Sequence, residues 1–484
     1  MTEQRGRAKT PQRPLVAIIG GGFSGASVAW HLHTAAPHRQ RIVIVEPHAE
    51  IGRGLAYSTA DPSHRINVPA TRMNIGAGHE RHFHDWLIAQ DYLATDPAAS
   101  IDAERLFPTR HAFGSYVKSQ VESLGNALTH VRSKAVAIER HARLWRIRCG
   151  NGDIIEADAA VLAVCHTPPD TPASLASLQS HPRFFPGPWR ANALESIGRD
   201  DDVLIVGTGL TMADIVASLD RLGHRGAIAA ISRRGLRSQP HVSAAIDVHG
   251  DFLQPPPRTA LDLLRRMRRT IRDAAREGQP WQAAVDQARD QGQAIWRALP
   301  SAERAKVLRH LRPYWDTHRF RIAPQVHEVL QRRLSDGRLT INAASVRAKA
   351  QQDARIRVEF RPRHSRNWTE RSFDAVILAT GPAHGTVFDH DPLLAQLKDN
   401  GLARPDPLRL GIAVDDGGRV IGDSKADNPL YVAGPLARGT FGELMGIIDL
   451  ARYAESIARH IVSYLQDTHP RGNDSVPYAA ETAD

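Results

Sequence analysis

The sequence predicts an α/β fold: two dinucleotide-binding, Rossmann-like domains with a helical insertion. Three observations predict it. A strand followed by closely spaced glycines occurs near residue 20 and again near residue 207. Alternating strand and helix patterns follow each of them, as parallel sheets covered by helices require. From 255 to 334 the apolar spacing turns helical throughout, and 484 residues are too many for one ordinary domain.

Taken in order, residues 15–19 are β-formers that stop at Gly20, and Gly20-x-Gly22-x-x-Gly25 follows. Gly20 permits the tight turn out of the strand. Gly22 lacks the Cβ that would hold a pyrophosphate off the backbone, and Gly25 lets the new helix pack closely on the sheet. The helix N-terminus offers free N–H groups and partial positive charge to the phosphates. A second strand, 42–45, ends in Glu46, about 20 residues past the glycines, where an acid accepts from ribose hydroxyls. This is an adenine-dinucleotide site.

Glycines 52 and 54, ahead of Leu55 and Tyr57, suit a loop passing close to a planar ligand, and Ile66-Asn-Val-Pro-Ala70 and Met73 follow it. A helix opening near Phe107-Pro-Thr-Arg110 brings Arg110 toward the same site, unless it serves in a surface ion pair. Residues 129–138, 144–149 and 153–157 alternate like strands, with Gly150-Asn151-Gly152 as a hairpin turn. A buried strand occupies 159–164, and the proline-rich 166–188 reads as a linker.

The second unit begins at Asp202. Strand 203–206 runs into Gly207-Thr-Gly209-Leu-Thr-Met212, with Met212 where the fingerprint has Gly or Ala; a helix over 212–222 and a strand over 227–231 supply its context. That strand ends in Ser232-Arg233-Arg234. An acid here accepts from the 2′-OH of NAD, whereas arginines suit a 2′-phosphate; two solvated arginines are the alternative. Inside the arginine-rich insertion, residues 314–321 (YWDTHRFR) gather aromatic and cationic groups. They suit either a flat anion or the insertion's own core with solvated arginines. Strands resume at 339–341, 355–360 and 373–378, the last followed by Ala379-Thr-Gly381. Residues 430–443 then lead into an apolar helix over 444–464.

Composition narrows the function classes. The net charge of +10 comes mostly from arginines scattered along the chain. With no nucleic-acid motif, anionic small molecules are the expected partners. No apolar run approaches a membrane span. Residues 1–14 read as a disordered leader rather than a signal peptide, and 467–484 as a disordered tail, which points to the cytoplasm. Cys149 and Cys165 form no close C-x-x-C pair, so a redox disulfide is excluded. No His/Cys cluster has metal-ligand spacing.

The two fingerprints resemble those of the two-dinucleotide flavoproteins over nearly the whole chain. GRGLAYS, INVPA, GTGLTMAD, SRRG, YWDTHRFR and AGPLARGTFGE, in that order, look like a narrower branch of FAD/NAD(P)-binding proteins. That branch includes a bacterial FAD-dependent urate hydroxylase and the nitrosuccinate-forming aspartate N-monooxygenases. The resemblance implies an FAD domain in two parts, 15–188 and 373–466, around an NAD(P)H domain over 195–372. It implies FAD held by Gly20, Gly22, Phe23, Ser24, Gly25, Glu46, Arg53, Gly54, Asn67, Val136, Gly381, Gly434, Pro435 and Leu436. NAD(P)H falls to Gly207, Thr208, Gly209, Leu210, Thr211, Arg233 and Arg234. The usual Gly-Asp before the last helix is here Gly434-Pro435, so that aspartate must be replaced.

The implied activity is a single-component monooxygenase working through a flavin C4a-hydroperoxide, with O2 and a small molecule as its partners. Chain length and residues 314–321 favour urate hydroxylation, in purine degradation. N-hydroxylation of L-aspartate or another amine is the alternative, and an NAD(P)H–flavin electron-transfer reductase a further one. A non-catalytic FAD-binding protein would not need the second fingerprint. The urate enzyme's NADH preference pulls against Arg233 and Arg234, so the coenzyme stays NAD(P)H. No catalytic acid, base or metal is assigned. Arg110, Arg319, Arg321 and Arg438 are candidates for holding substrate or nicotinamide, and the oligomeric state is left open.

Overall fold

The computed structural model describes residues 13–76, 78–164, 169–188, 193–242, 246–349, 355–423 and 429–470. Its strands are β1 (Leu15–Ile19), β2 (Arg41–Val45), β3 (Leu128–Val131), β4 (Ala135–His141), β5 (Leu144–Cys149), β6 (Ile154–Ala157), β7 (Ala159–Leu162), β8 (Phe184–Phe185), β9 (Val203–Val206), β10 (Ile228–Ser232), β11 (Leu339–Ala348), β12 (Ile356–Pro362), β13 (Thr369–Phe373), β14 (Ala375–Leu378) and β15 (Leu430–Val432). They form three sheets. One is parallel, in the order β15-β7-β1-β2-β3; the second runs β13-β12-β11-β10-β9-β14-β8; the third is the meander β4-β5-β6. In the second sheet only β12 and β13 are antiparallel.

Both central strands are buried at every position, β1 as LVAII and β9 as VLIV. Continuous apolar runs of this kind belong to parallel strands covered on both faces. The fingerprint helix Phe23–Ala35 packs on the last helix, Ile447–Thr468, and its counterpart Leu210–Arg221 packs on Pro324–Ser335. The chain passes from the first sheet to the second between β7 and β8, and returns between β14 and β15.

Four expectations change. Residues 129–138 are two strands in different sheets, β3 beside β2 and β4 beside β5. Residues 373–378 likewise divide at Asp374 between β13 and β14. The 166–188 stretch is no free linker, because Leu175 and Leu178 are fully buried and β8 adds to the edge of the second sheet. It follows that the domain boundaries at 188 and 373 separate β8 and β14 from the second sheet, within which both pair. Periodicity reports that a strand is buried, not which sheet buries it.

The insertion is helical, with Ala260–Arg276, Trp281–Asp290, Gly292–Ala298, Ser301–Lys306 and Arg312–Arg319 ahead of Pro324–Ser335. It has a small core around Phe252, Ala288, Ile295 and Leu299. It also docks on the flavin-side domain, where the Trp296 indole N–H donates to the Gly439 carbonyl at 2.9 Å. The leader and tail expectations fall almost wholly on 1–12 and 471–484, outside the described residues, although the last helix continues through Thr468. Cys165 is also outside them, and Cys149 is a buried free thiol. Among the described residues no helix is long and apolar enough to cross a membrane, and no group of side chains is arranged to hold a metal ion.

Candidate functional site

The three glycines of the first fingerprint do different things. Gly20 has φ +103°, and a Cβ there would lie 2.6 Å from the Ala163 carbonyl oxygen. A Cβ on Gly25 would lie 2.1 Å from the Gly20 carbonyl oxygen. These two are required by the fold itself. Gly22 has φ −71° and ψ −170°, ordinary extended values, and its Cβ would meet only the Gly54 Cα, at 3.5 Å. The fold itself therefore does not require glycine at 22, and the space between Gly22 and Gly54 is open to a ligand. The helix beyond it has no side-chain cap and no acid in its first turn, which leaves N–H groups free for a phosphate. A dinucleotide pyrophosphate fits this cradle.

The other expected flavin residues come from several elements of the chain. Gly21 N–H donates to Glu46 Oε2 at 2.7 Å, which sets the carboxylate at the loop mouth. Phe23 packs on Phe113 with centroids 5.8 Å apart, and Tyr57 meets the same ring at 4.7 Å. Ser24 lies against Gly434, whose Cβ would sit 2.9 Å from the Ser24 hydroxyl. Pro435 and Leu436 are buried beyond it. Arg53 is tied to Glu50 at 2.7 Å and Ser115 at 3.2 Å. The Asn67 carbonyl accepts from His241 at 2.8 Å. Val136 stands at a bulge in β4 and is 43% exposed. Asp406 approaches the turn after Gly434, but its carboxylate accepts from Leu408 and Leu410 N–H groups in its own loop. It is thus committed elsewhere.

The second fingerprint repeats this geometry with one substitution explained. Gly207 has φ +125°, with its Cβ position 2.2 Å from the Ala379 oxygen, while Gly209 has nothing within 4 Å. Met212 takes the third position and is 1% exposed, its side chain part of the domain core. Where Glu46 accepts from Gly21, Ser232 accepts from the Thr208 hydroxyl at 2.8 Å and from Gly235 N–H at 2.9 Å. The helix Leu210–Arg221 again starts without a cap or an acid.

Both halves open on one cavity of about 1000 Å³. Tyr57, Asn67 and Met73 line one side; Gly207 to Thr211, Arg233 and Arg234 line another, near Gly381. The insertion closes it with Arg312, Asp316 and Arg319, opposite Gly446 and Ile447 at the start of the last helix.

Three of the four candidate arginines are already paired. Arg110 is neither a free ligand group nor at the surface. It is buried, ion-paired to Asp214 at 2.8 Å, and donates to the Arg65 carbonyl at 3.1 Å. Arg319 bridges Glu443 at 3.0 Å and Asp449 at 3.2 Å, and Arg321 holds Asp286 at 2.7 Å. Only Arg438 has no carboxylate partner among the described residues: its guanidinium lies 3.5 Å from the Met445 sulfur. Burial, and then neighbouring Arg312, pulls its pKa down to about 10.

The aromatic stretch differs from expectation as well. Arg234 lies over Tyr314 at 5.7 Å, Arg319 over Phe320 at 4.9 Å, and the Trp315 N–H donates to Glu443 at 3.1 Å. These rings are engaged by the chain's own groups. The residue missed was Asp316, a cavity-lining acid beside Arg312 Nε at 3.2 Å, with its carboxyl pushed up by burial. Its only signal was its place within that stretch.

The Arg110–Asp214 pair belongs to a polar seam between the domains. Asp214, Ser218 and Arg221 lie on one face of their helix, and Ser218 and Arg221 meet His64 at 3.0 Å and Asp61 at 2.9 Å. Arg110→Ala strands a buried carboxylate, and a loss of about 3–5 kcal/mol is expected. Arg110→Met with Asp214→Leu should recover most of it. Urea unfolding of the flavin-loaded protein checks this, and an unchanged midpoint for the single variant would mean the pair carries no stability.

Comparison with known proteins matches residues 17–167 to a family described as FAD-NAD(P)-binding. No curated protein matches the chain. Solved structures do, along almost all of it. The reduced ornithine hydroxylase of Pseudomonas aeruginosa is 17% identical with a TM-score of 0.65, covering 94% of this chain and 100% of that one. An ornithine N-hydroxylase from Kutzneria sp. 744, with reduced FAD, NADP+ and L-ornithine, gives the same four values: 17%, 0.65, 94% and 100%. The L-lysine 6-monooxygenase of Pseudomonas syringae is 18% identical at TM-score 0.64, covering 93% and 99%. The fold is that of the two-dinucleotide-binding flavoproteins. FAD and NAD(P)H, the cofactors expected from the two fingerprints, agree with the family match.

Proposed function

We propose that the chain is an FAD-dependent, NAD(P)H-consuming monooxygenase that hydroxylates the nitrogen of a small amine. The observation that carries the reading is a cavity of about 1000 Å³ lined jointly by the second glycine loop, by Tyr57, Asn67 and Met73 of the first domain, and by the insertion. Bound FAD supplies the chemistry there, taking hydride from NAD(P)H and activating O2. The chain's part is to bind, orient and keep water out. Gly22 and Gly209 admit the two pyrophosphates, and the insertion supplies a further wall of the cavity. On that wall Arg312 and Asp316 form an ion pair with each other at 3.2 Å, and the carboxylate and amine of an amino acid would bind there by exchanging with it.

Likeness to ornithine and lysine N-hydroxylases along 93–94% of the chain supports the amine alternative over urate. The engagement of Tyr314, Trp315 and Phe320 by the chain's own groups also weakens the case for a stacked purine. The test is NADH and NADPH consumption with H2O2 monitored, against ornithine, lysine, a diamine, L-aspartate and urate. One amine should accelerate consumption, lower H2O2 and yield an N-hydroxy product. Disappearance of urate would restore purine hydroxylation. Consumption driven only by dyes or a protein acceptor would indicate an electron-transfer reductase.

A further inference from the structure

Beside the shared cavity lies a smaller one of about 210 Å³, and the two have Arg233, Ala344 and Ser345 in common. Its outer wall is Arg361, Arg363, His364 and Ser365, at the end of β12 and in the turn after it. Register explains how they arrive there. β11 lies parallel to β10 with Ala343 opposite Ser232, and β12 runs back along β11 with Arg361 opposite Ser345. The antiparallel arm thus delivers its last residues to the end of β10, beside Arg233.

The charge of this niche is one-sided. Its lining holds three arginines, a histidine and two serines, and no carboxylate. Farther along the same ladder the cations are neutralised: Arg347 pairs with Glu359 at 2.6 Å, and Lys349 with Glu370. Arg233, Arg361 and Arg363 have no ion pair among the described residues. The Arg361 guanidinium instead lies over the Trp368 ring at 5.0 Å. An aromatic face fixes the direction of the fork without cancelling its charge. Unpaired guanidinium forks and hydroxyls around a concavity suit a tetrahedral oxyanion.

Position says which one. In a dinucleotide-binding domain the end of the second strand meets the adenosine ribose. Ser232 occupies that point, and its hydroxyl is already taken by Thr208 and Gly235. The niche offers no carboxylate to accept from a 2′-OH, and three arginines line it beside the end of that strand. We infer that Arg361, Arg363 and His364, together with Arg233, form a phosphate subsite that selects NADPH over NADH. The inference rests on the second fingerprint being the nicotinamide site and is independent of the substrate oxygenated.

The experiment uses the FAD-loaded enzyme with 2′,5′-ADP and 5′-AMP as probes in titration calorimetry. The parent should bind 2′,5′-ADP about ten-fold or more tightly than 5′-AMP. Arg361→Ala with Arg363→Ala should remove that advantage and leave 5′-AMP binding unchanged. Both side chains are exposed, so the double variant keeps its fold. In turnover the same variant should raise KM for NADPH, not for NADH, with kcat held. Equal binding of the two probes by the parent overturns the niche, as does a double variant that weakens both probes alike. If neither probe binds, the second fingerprint is not a nicotinamide site, and that separate reading falls first and takes the inference with it.

Discussion

Gly22→Val should yield a folded, colourless protein. The backbone at Gly22 has φ −71° and ψ −170°, which valine adopts without strain, and the first added carbon meets only the Gly54 Cα, at 3.5 Å. The two methyl groups then fill the gap between Gly22 and Gly54. They exclude the pyrophosphate from the free N–H groups at the helix start. Overpacking costs about 1–3 kcal/mol, and each charge-assisted hydrogen bond lost roughly 1.5–3 kcal/mol more. FAD affinity should drop by roughly three orders of magnitude. The measurement is the FAD-to-protein ratio after purification, beside a circular dichroism spectrum matching the parent. Stoichiometric flavin in the variant would place the cofactor elsewhere. Gly25→Ala is the instructive contrast: its Cβ would sit 2.1 Å from the Gly20 carbonyl oxygen, so it should damage the domain rather than the site.

That contrast marks what the sequence could disclose. The roles of Gly20, Gly22 and Gly25 follow from local backbone geometry, and β1 and β9 end where Gly20 and Gly207 turn to positive φ. Short-range physics leaves a short-range signature. Where partners are distant the signature is lost. Arg110 is readable as a cation near the site, but its partner Asp214 is 104 residues away on the other domain's helix. Arg319 meets Asp449 130 residues away and Arg321 meets Asp286 35 residues away, both beyond any local pattern, so three arginines with the same sequence signature as Arg438 turned out neutralised.

Sheet membership failed for a related reason. Residues 129–138 alternate without a visible break, yet Val131 ends one sheet and Ala135 begins another, with Ser133 N–H bonded back to the Val131 carbonyl at 2.8 Å. The basic niche went unread on the same account. Arg361 and Arg363 are ordinary exposed residues of an edge hairpin until the register of β11 with β10 carries them beside Arg233.

Gly209→Val is the largest effect expected on the second domain, and it should separate flavin binding from hydride delivery. Gly207 cannot serve for this test, because φ +125° and a Cβ position 2.2 Å from the Ala379 oxygen make any side chain there a folding defect. Gly209 has φ −88° and ψ −154°, with no atom within 4 Å of where its Cβ would be. Valine enters that opening without strain and lies in front of the uncapped helix Leu210–Arg221. There it displaces the coenzyme pyrophosphate from N–H groups that nothing else satisfies. By the same count of lost contacts as at Gly22, kcat/KM for NAD(P)H should drop by roughly 100-fold or more. The flavin, bound on the other domain, should remain stoichiometric and be reduced normally by dithionite. Stopped-flow measurement of flavin reduction decides it. A variant reduced by NAD(P)H as fast as the parent would show that hydride reaches the flavin by a route that does not cross this loop.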